Sequence, residues 1–290
     1  MAIIGVPTSA GAFAAGQEQA PAALRAAGLV EAFGGRAVDH GDREPWAWRP
    51  DRAHRDAQHL DRVVQIVRDT ARRVQAAAAA GQRTLVLGGD CTVGIATVAG
   101  QAALGGRIGL VYLDMHADLN VPSAVRDGAL DWMGVAHMLG VDGAAAPLTD
   151  VGPRSPLLTA DQVVLLGWEH SQATAFEREQ LQALRVPIVP AADLRADPAE
   201  AARAALDALG PVDRLVVHFD VDVVDFVDTP LSENTGRNVG VPFTAALAAL
   251  DALARMRRPD GLTVTELNPA HVEPGADTLQ RLAAALAAAL

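Results

Sequence analysis

Acidic residues and a histidine recur at every second position in two short segments of the chain. The first reads Asp114-Met-His116-Ala-Asp118 and the second reads Asp220-Val-Asp222. In extended backbone, residues i, i+2 and i+4 project from one face, so each segment is expected to present its polar side chains together. Clustered carboxylates repel one another, and burying them is costly unless a cation neutralises them. Because oxygen donors with one or two imidazoles suit Mn²⁺ or Mg²⁺, the spacing predicts a divalent metal site.

Both polar segments follow continuous apolar runs, which are typical of strands buried on both faces of a parallel sheet. Eight such runs alternate with Ala/Leu-rich helical stretches, and this alternation predicts an α/β fold. We expect a single three-layer α/β/α domain over residues 1–290, with a mostly parallel sheet of about eight strands. The predicted strands are 2–6, 36–39, 83–88, 108–114, 162–167, 186–190, 213–219 and 261–266. The predicted helices are 20–33, 58–80, 92–104, 131–140, 173–184, 197–209, 242–258 and 275–289.

The composition excludes several classes of chemistry. All 24 basic residues are arginine, so a lysine Schiff base and a P-loop lysine are both impossible. The only cysteine is Cys91, which rules out an internal disulfide and a cysteine-rich zinc site. The net charge of −11, without an arginine cluster, indicates a protein that does not bind nucleic acid. With no apolar run of ~18 residues and no signal-peptide pattern, we expect a cytoplasmic protein that does not contact membranes.

Four motifs, in sequence order, resemble those of the ureohydrolase family, which includes arginases, agmatinases and formiminoglutamases. Gly88-Gly-Asp-Cys91 is similar to the family's Gly-Gly-Asp-His, and 114–118 matches Asp-x-His-x-Asp. Phe219-Asp-Val-Asp222 matches Phe-Asp-x-Asp, and Glu266-Leu-Asn-Pro269 matches Glu-x-Asn-Pro. The resemblance runs from residue 3 to about residue 270.

The resemblance implies the same α/β/α fold and a pair of Mn²⁺ ions. Two cations about 3.5–4 Å apart activate a water molecule for attack on a guanidinium carbon. Asp114 and Asp220 would bridge the two ions. The implied metal ligands are Cys91, Asp114, His116, Asp118, Asp220 and Asp222.

The resemblance also implies roles around the metal pair. Asp118 would accept a proton and pass it to the departing amine, and Glu266 would pair with the substrate guanidinium. Asp131 stands in the segment where arginases carry a shuttling histidine, so it either takes over part of that role or caps a helix. Asn120 matches a position that contacts a substrate carboxylate. Arg237 or Asn234, in the loop 229–238, is a second candidate for that contact.

Two departures from the family pattern bear on the substrate and the metal. A thiolate at Cys91 is a poor ligand for Mn²⁺, so one metal would bind weakly or a different metal would be preferred, unless Cys91 is only a small buried residue at a helix start. The segment Gly167-Trp-Glu-His170 lacks the arginine and the acids with which arginases recognise the α-amino group of their substrate.

These features predict a hydrolase acting on non-peptide C–N bonds in linear amidines, with an arginine-like or modified arginine substrate such as N-hydroxyarginine. It would release urea or a substituted urea. Alternatives are a formiminoglutamate- or agmatine-type hydrolase, a mononuclear deacetylase-like amide hydrolase, and a catalytically silent binding protein. The resemblance further implies a homo-oligomer, a trimer or a hexamer. The substrate, the native metal and the role of Asp131 stay open.

Overall fold

Eight parallel strands form one sheet in the computed structural model, which describes residues 1–290. They are β1 (Ala2–Gly5), β2 (Val38–Asp42), β3 (Thr84–Leu87), β4 (Ile108–Leu113), β5 (Val163–Trp168), β6 (Ile188–Pro190), β7 (Arg214–Asp220) and β8 (Gly261–Thr265). Their order across the sheet is β2-β1-β3-β8-β7-β4-β5-β6. All eight predicted strands are present, and the sheet is parallel throughout rather than mostly parallel.

Eleven α-helices connect and cover the strands. They are α1 (Ala20–Ala26), α2 (Leu29–Ala32), α3 (Leu60–Ala79), α4 (Thr92–Ala102), α5 (Gly134–Leu139), α6 (Ala146–Thr149), α7 (Ala175–Leu184), α8 (Ala191–Ala196), α9 (Pro198–Leu209), α10 (Phe243–Met256) and α11 (Thr278–Ala289). The predicted helix 20–33 is divided because Gly28 adopts a left-handed conformation with φ of 88°. The short helices α6 and α8 were not predicted. No helix has both the length and the apolar character that crossing a membrane requires.

The two faces of the sheet are covered by different sets of helices. Side chains alternate between the faces along each strand, so that Leu85 and Leu87 join one apolar cluster and Val86 joins the other. Helices α1, α2 and α8–α11 pack on the first face, and α3–α7 pack on the second. The result is a single three-layer α/β/α domain, as predicted, in which the inner strands are buried on both faces and the edge strand β2 is largely exposed.

The four central strands bring the polar motifs to one edge. β3, β8, β7 and β4 are adjacent in the sheet, and all four point the same way. Cys91 follows β3, Glu266 follows β8, Asp220 ends β7 and Asp114 follows β4. Because the carboxyl ends of parallel strands lie at the same edge, residues separated by up to 175 positions become neighbours there.

Candidate metal centre

A cavity of about 420 Å³ opens at the carboxyl edge of the central strands. Cys91, His116 and Asn234 contribute to its walls, and Phe13 and Trp132 supply apolar surface. No arginine lines it. Its acidic lining residues are Asp118, Asp127, Asp131, Asp220, Asp222 and Glu266.

Two groups of side chains at the base of this cavity have the spacing of metal ligands. Within each group, one donor atom from every residue lies within 4.8 Å of the others. Asp114 belongs to both groups, which is the arrangement expected of a bridging carboxylate. The first group, called the sulfur group below, consists of Cys91, Asp114, His218 and Asp220, and the second, called the oxygen group, consists of Asp114, His116 and Asp222.

The local backbone aims these carboxylates into the cavity. Oδ1 of Asp114 accepts a hydrogen bond from the backbone N–H of His116 at 2.6 Å, and Oδ1 of Asp220 accepts one from that of Asp222 at 2.7 Å. Each of these bonds fixes one carboxylate oxygen, and the second oxygen of Asp220 accepts from the Cys91 thiol. Oδ2 of Asp114 and Oδ1 of Asp222 are buried and have no hydrogen-bond partner. Since unpartnered buried carboxylate oxygens are costly, these atoms fit a cation.

Without a bound cation, burial and mutual repulsion oppose the ionisation of the acids in this cluster. Burial, together with the charge of Asp222, raises the pKa of Asp114 to about 7. Burial and the charges of Asp222 and Asp114 raise the pKa of Asp220 well above its ordinary value. Burial opposes ionisation of Asp222 as well, but His116 beside it, with Nδ1 3.0 Å from Oδ2, more than offsets this and lowers the pKa of Asp222. A divalent cation would reverse the upward shifts.

Cys91 is buried immediately before α4. Its thiol donates a hydrogen bond to Oδ2 of Asp220 at 2.7 Å, and its sulfur lies 3.4 Å from Nε2 of His218. Burial and then the charge of Asp220 raise the pKa of the Cys91 thiol. Burial lowers the pKa of His218 to about 3, so its imidazole is neutral. The sequence reasoning missed His218, although it precedes Asp220 by two positions in β7 and therefore shares its face.

Asp118 lies in the cavity wall but outside both ligand groups. Its backbone has a φ of 50°, so the chain has left the extended conformation at this residue. Its Oδ2 accepts a hydrogen bond from the hydroxyl of Tyr112, a residue that the sequence reasoning did not single out. The predicted roles of Asp118 in metal binding and proton transfer stay predictions.

Glu266 is held in place by two hydrogen bonds. Its Oε1 accepts from the backbone N–H of Cys91 at 3.0 Å, and its Oε2 accepts from Nε2 of Gln17 at 2.9 Å. Glu266 follows β8 with a φ of 62°, and its side chain lines the cavity. Burial and then the charge of Asp131 raise the pKa of Glu266 well above its ordinary value. Gln17 is 249 positions from Glu266, so no local sequence pattern predicts their contact.

Asp131 is buried in the cavity wall. Its Oδ1 accepts from the backbone N–H of Trp132, its direct neighbour, at 3.0 Å. Helix α5 begins at Gly134, and Asp131 makes no side-chain capping bond to it, so the helix-cap interpretation is not what the structure shows. Burial and then the charge of Asp90 raise the pKa of Asp131 well above its ordinary value.

Two of the predicted substrate contacts, Asn120 and Arg237, lie apart from the cavity. Asn120 is fully buried, and its Oδ1 accepts from the hydroxyl of Thr174 at 2.8 Å. The guanidinium of Arg237 lies over the ring of Phe226, 5.0 Å from its centroid. Asn234, from the same loop as Arg237, reaches the cavity instead, with Nδ2 3.2 Å from Nε2 of His116. The structure thus brings the predicted metal ligands and Glu266 together, but neither Asn120 nor Arg237.

The sheet is parallel throughout, helices cover both of its faces, and a carboxylate-rich ligand cluster lies at its carboxyl edge. These features define the class: an α/β protein with a candidate binuclear metal centre. The chain belongs to the arginase family, whose model matches residues 1–290. It is 28% identical to an arginase of Glaciozyma antarctica over 288 residues, covering 92% of this chain and 80% of that one. It is 34% identical to an arginase of Brevibacillus brevis over 173 residues, a match that spans 58% of this chain and only 56% of that one.

The solved structures agree with the fold. An arginase from Bacillus caldovelox superposes with a TM-score of 0.86 at 24% identity, covering 100% of this chain and 97% of that one. This likeness concerns the arrangement of strands and helices.

Proposed function

We propose that this protein is a metal-dependent amidinohydrolase, which hydrolyses the guanidino C–N bond of a small, arginine-like cation. The observation that carries the proposal is the acidic cavity, with no arginine in its lining and with Glu266 fixed in its wall. Two divalent ions would neutralise the ligand carboxylates of the sulfur and oxygen groups. Asp131 and Glu266 remain as acids beside them, which favours a positively charged substrate.

Bound divalent cations supply Lewis acidity and a nucleophile at neutral pH. The chain's contribution is to hold them with Asp114 in the shared position. Glu266 would bind the guanidinium as a charge-assisted hydrogen-bond acceptor. Because the Cys91 N–H and Gln17 already fix both of its oxygens, Glu266 loses little freedom when substrate binds, so it holds the reacting carbon in a defined place.

Asp118 and Asp131 would handle the protons. Burial is the main cause that raises the pKa of each well above the ordinary carboxylate value. A raised pKa favours the protonated form, so each carboxylate could accept a proton and pass it to a departing amine. The hydroxyl of Tyr112, bonded to Asp118, would keep that carboxylate in one orientation.

The remainder of the substrate would lie between Phe13 and Trp132, where aliphatic carbons find apolar surface. No arginine lines this cavity to bind a carboxylate, and His116 belongs to the oxygen group, so Asn234 and Gln172 are the available uncharged polar contacts. This lining favours a decarboxylated guanidino amine of the agmatine type as the second candidate substrate. Nothing in the lining singles out an N-hydroxylated guanidine.

The test is urea release by metal-stripped protein reconstituted with Mn²⁺, Co²⁺ or Zn²⁺. The panel would contain arginine, agmatine, N-hydroxyarginine and, with formamide as the measured product, formiminoglutamate. We expect at least one guanidino compound to be hydrolysed. Two bound metal equivalents with no product from any compound would refute the proposal.

A variant pair tests the role of Glu266. Glu266→Gln removes the charge that pairs with the guanidinium, which corresponds to about 1.5–3 kcal/mol and a loss of roughly 10- to 150-fold in kcat/KM, with metal content unchanged. Glu273→Gln is the matched control, because Glu273 is exposed and lies outside the cavity. Equal kcat/KM values for the two variants would remove Glu266 from substrate binding.

A further inference from the structure

The sulfur group differs in composition from the ligand set that the family pattern implies. That pattern places a histidine at position 91 and uses the carboxylate corresponding to Asp118. Here position 91 is cysteine, the Asp118 carboxylate is bonded to Tyr112, and the imidazole of His218 lies beside the sulfur. The inference developed from this difference rests on the metal centre of the proposed function but not on its reaction.

We propose that His218 is a metal ligand in this chain. With Cys91, Asp114 and Asp220, it forms a mixed sulfur–nitrogen–oxygen site. This site is selective for a borderline divalent metal such as Zn²⁺ or Co²⁺ over Mn²⁺. Soft thiolate donors favour zinc, whereas carboxylates and water suit manganese. The oxygen group has no sulfur and keeps the harder set of donors. The two halves of the centre therefore differ in metal preference.

The distances between the donor atoms support one shared ion. Zinc bonds of about 2.0–2.3 Å to N, O and S place neighbouring donors of a four-coordinate site roughly 3–4 Å apart. The sulfur of Cys91 lies 3.4 Å from Nε2 of His218 and 2.7 Å from Oδ2 of Asp220. The shorter contact is a thiol hydrogen bond, which an ion would replace. The unpartnered Oδ2 of Asp114 supplies the fourth donor.

His218 is packed so that its Nε2 edge faces this cluster. Its ring is stacked on Tyr112 with a centroid distance of 4.2 Å and an interplanar angle of 2°. The opposite edge rests against Gly94, where a Cβ atom would lie 2.3 Å from Nδ1. A glycine inside helix α4 is unfavourable by about 1 kcal/mol relative to alanine, and here it makes room for the imidazole.

Cys91 and His218 are sterically complementary. A histidine side chain at position 91 would extend beyond the present sulfur into the space of the His218 ring, which begins 3.4 Å away. Cysteine at 91 avoids that overlap. The imidazole donor that Cys91 lacks is thus available from the neighbouring strand, β7, and Tyr112 stabilises both the His218 ring and the Asp118 carboxylate that is left outside the group.

Cobalt is the probe that tests this ligand set. Metal-stripped full-length protein would be titrated with Co²⁺ while the near-ultraviolet and visible spectra are recorded. We expect a thiolate-to-cobalt charge-transfer band that saturates at one equivalent. Cys91→Ser should abolish this band. His218→Gln should keep it but weaken Co²⁺ binding at least tenfold and shift the visible bands, whereas the control His137→Gln, at a buried histidine outside both groups, should change neither.

Metal selectivity gives a second readout. Zn²⁺ binds most nitrogen, oxygen and sulfur sites more tightly than Mn²⁺, so only a change in their affinity ratio is informative. We expect the ratio to fall at least tenfold in Cys91→Ser. If the variants do not fold, X-ray absorption of zinc-loaded wild-type protein still decides, because it must show one sulfur neighbour at about 2.3 Å and an imidazole.

Three outcomes would overturn the ligand set: no charge-transfer band in cobalt-loaded wild type, no sulfur scatterer at zinc, or an unchanged cobalt spectrum and affinity in His218→Gln. Urea release measured on the same samples separates this inference from the proposed function. A charge-transfer band without urea release would leave the ligand set standing and reject the reaction. Urea release without a sulfur ligand would do the reverse.

Discussion

Asp114→Asn should stabilise the metal-free protein and abolish its response to metal. Burial and the neighbouring Asp222 raise the pKa of Asp114 from 3.8 to about 7, a shift of about three pH units. At 1.36 kcal/mol per unit, ionisation of Asp114 destabilises the metal-free fold by about 4 kcal/mol above pH 7. Asparagine keeps Oδ1 as the acceptor for the His116 N–H and places an uncharged group where Oδ2 now lies.

The sign of the pH dependence follows from the direction of the shift. Because the folded-state pKa of Asp114 is raised, the stability associated with its protonated form is complete below pH 3.8 and is lost as pH rises through about 7. Asparagine resembles the protonated form at every pH. The stability advantage of the variant should therefore be near zero at pH 4 and about 4 kcal/mol at pH 8.

The assay is urea unfolding of chelator-treated wild type and Asp114→Asn between pH 4 and pH 8, repeated with saturating Mn²⁺ or Zn²⁺. Metal should stabilise the wild type by ~4 kcal/mol at a thousandfold excess over Kd, and should not stabilise the variant. An Asp114→Asn protein that is less stable than the metal-free wild type at pH 8, or whose advantage does not change with pH, would refute the reasoning. Equal stabilisation of both proteins by metal would remove Asp114 from the shared position.

Three further outcomes are expected. Asp220→Asn should lose metal binding and activity with an unchanged circular dichroism spectrum, and retained activity would exclude a bridging role. Burial lowers the pKa of His137 from 6.5 to about 4. Wild-type stability is therefore lost, by about 3 kcal/mol, as pH falls through that range. His137→Leu should remove this loss in urea unfolding. The double variant with Cys91→His and His218→Ser should raise Mn²⁺ affinity at least tenfold in calorimetry. Equal Mn²⁺ affinities for this double variant and for Cys91→His alone would contradict the steric overlap between a histidine side chain at position 91 and the His218 ring.

The fold could be predicted because the inner strands of its sheet are buried on both faces. Runs such as Leu85-Val-Leu87 carry apolar residues toward both helical layers, and this leaves an unbroken hydrophobic pattern in the sequence. The short helices α6 and α8 escaped prediction since four to six residues are too few to show a helical period. The division between α1 and α2 depends on one glycine conformation, which periodicity cannot detect.

The alternation rule grouped the polar residues of the candidate site, although Asp114, His116 and Asp222 lie just beyond strand ends. The alternation rule placed Asp114, His116 and Asp118 on one face, but β4 ends at Leu113 and the backbone of Asp118 is left-handed, so Asp118 points toward Tyr112. His218 lies within β7, where the alternation rule does hold. It was not among the predicted ligands, because only the acids of that segment were included. Contacts such as Gln17 with Glu266 join distant segments, and no local pattern encodes them.

The adjacency of β3, β8, β7 and β4 has a consequence for how the protein matures. The donors of the sulfur group span positions 91 to 220 and lie on or just after three different strands, β3, β4 and β7, so the group is complete only once these strands are in place. An ion can therefore be captured only after β7 has settled between β4 and β8, and pairing of such widely separated strands is a slow, late event. During refolding, metal binding should therefore follow the last cooperative step, in which the sheet is completed. It should not nucleate the first folding step.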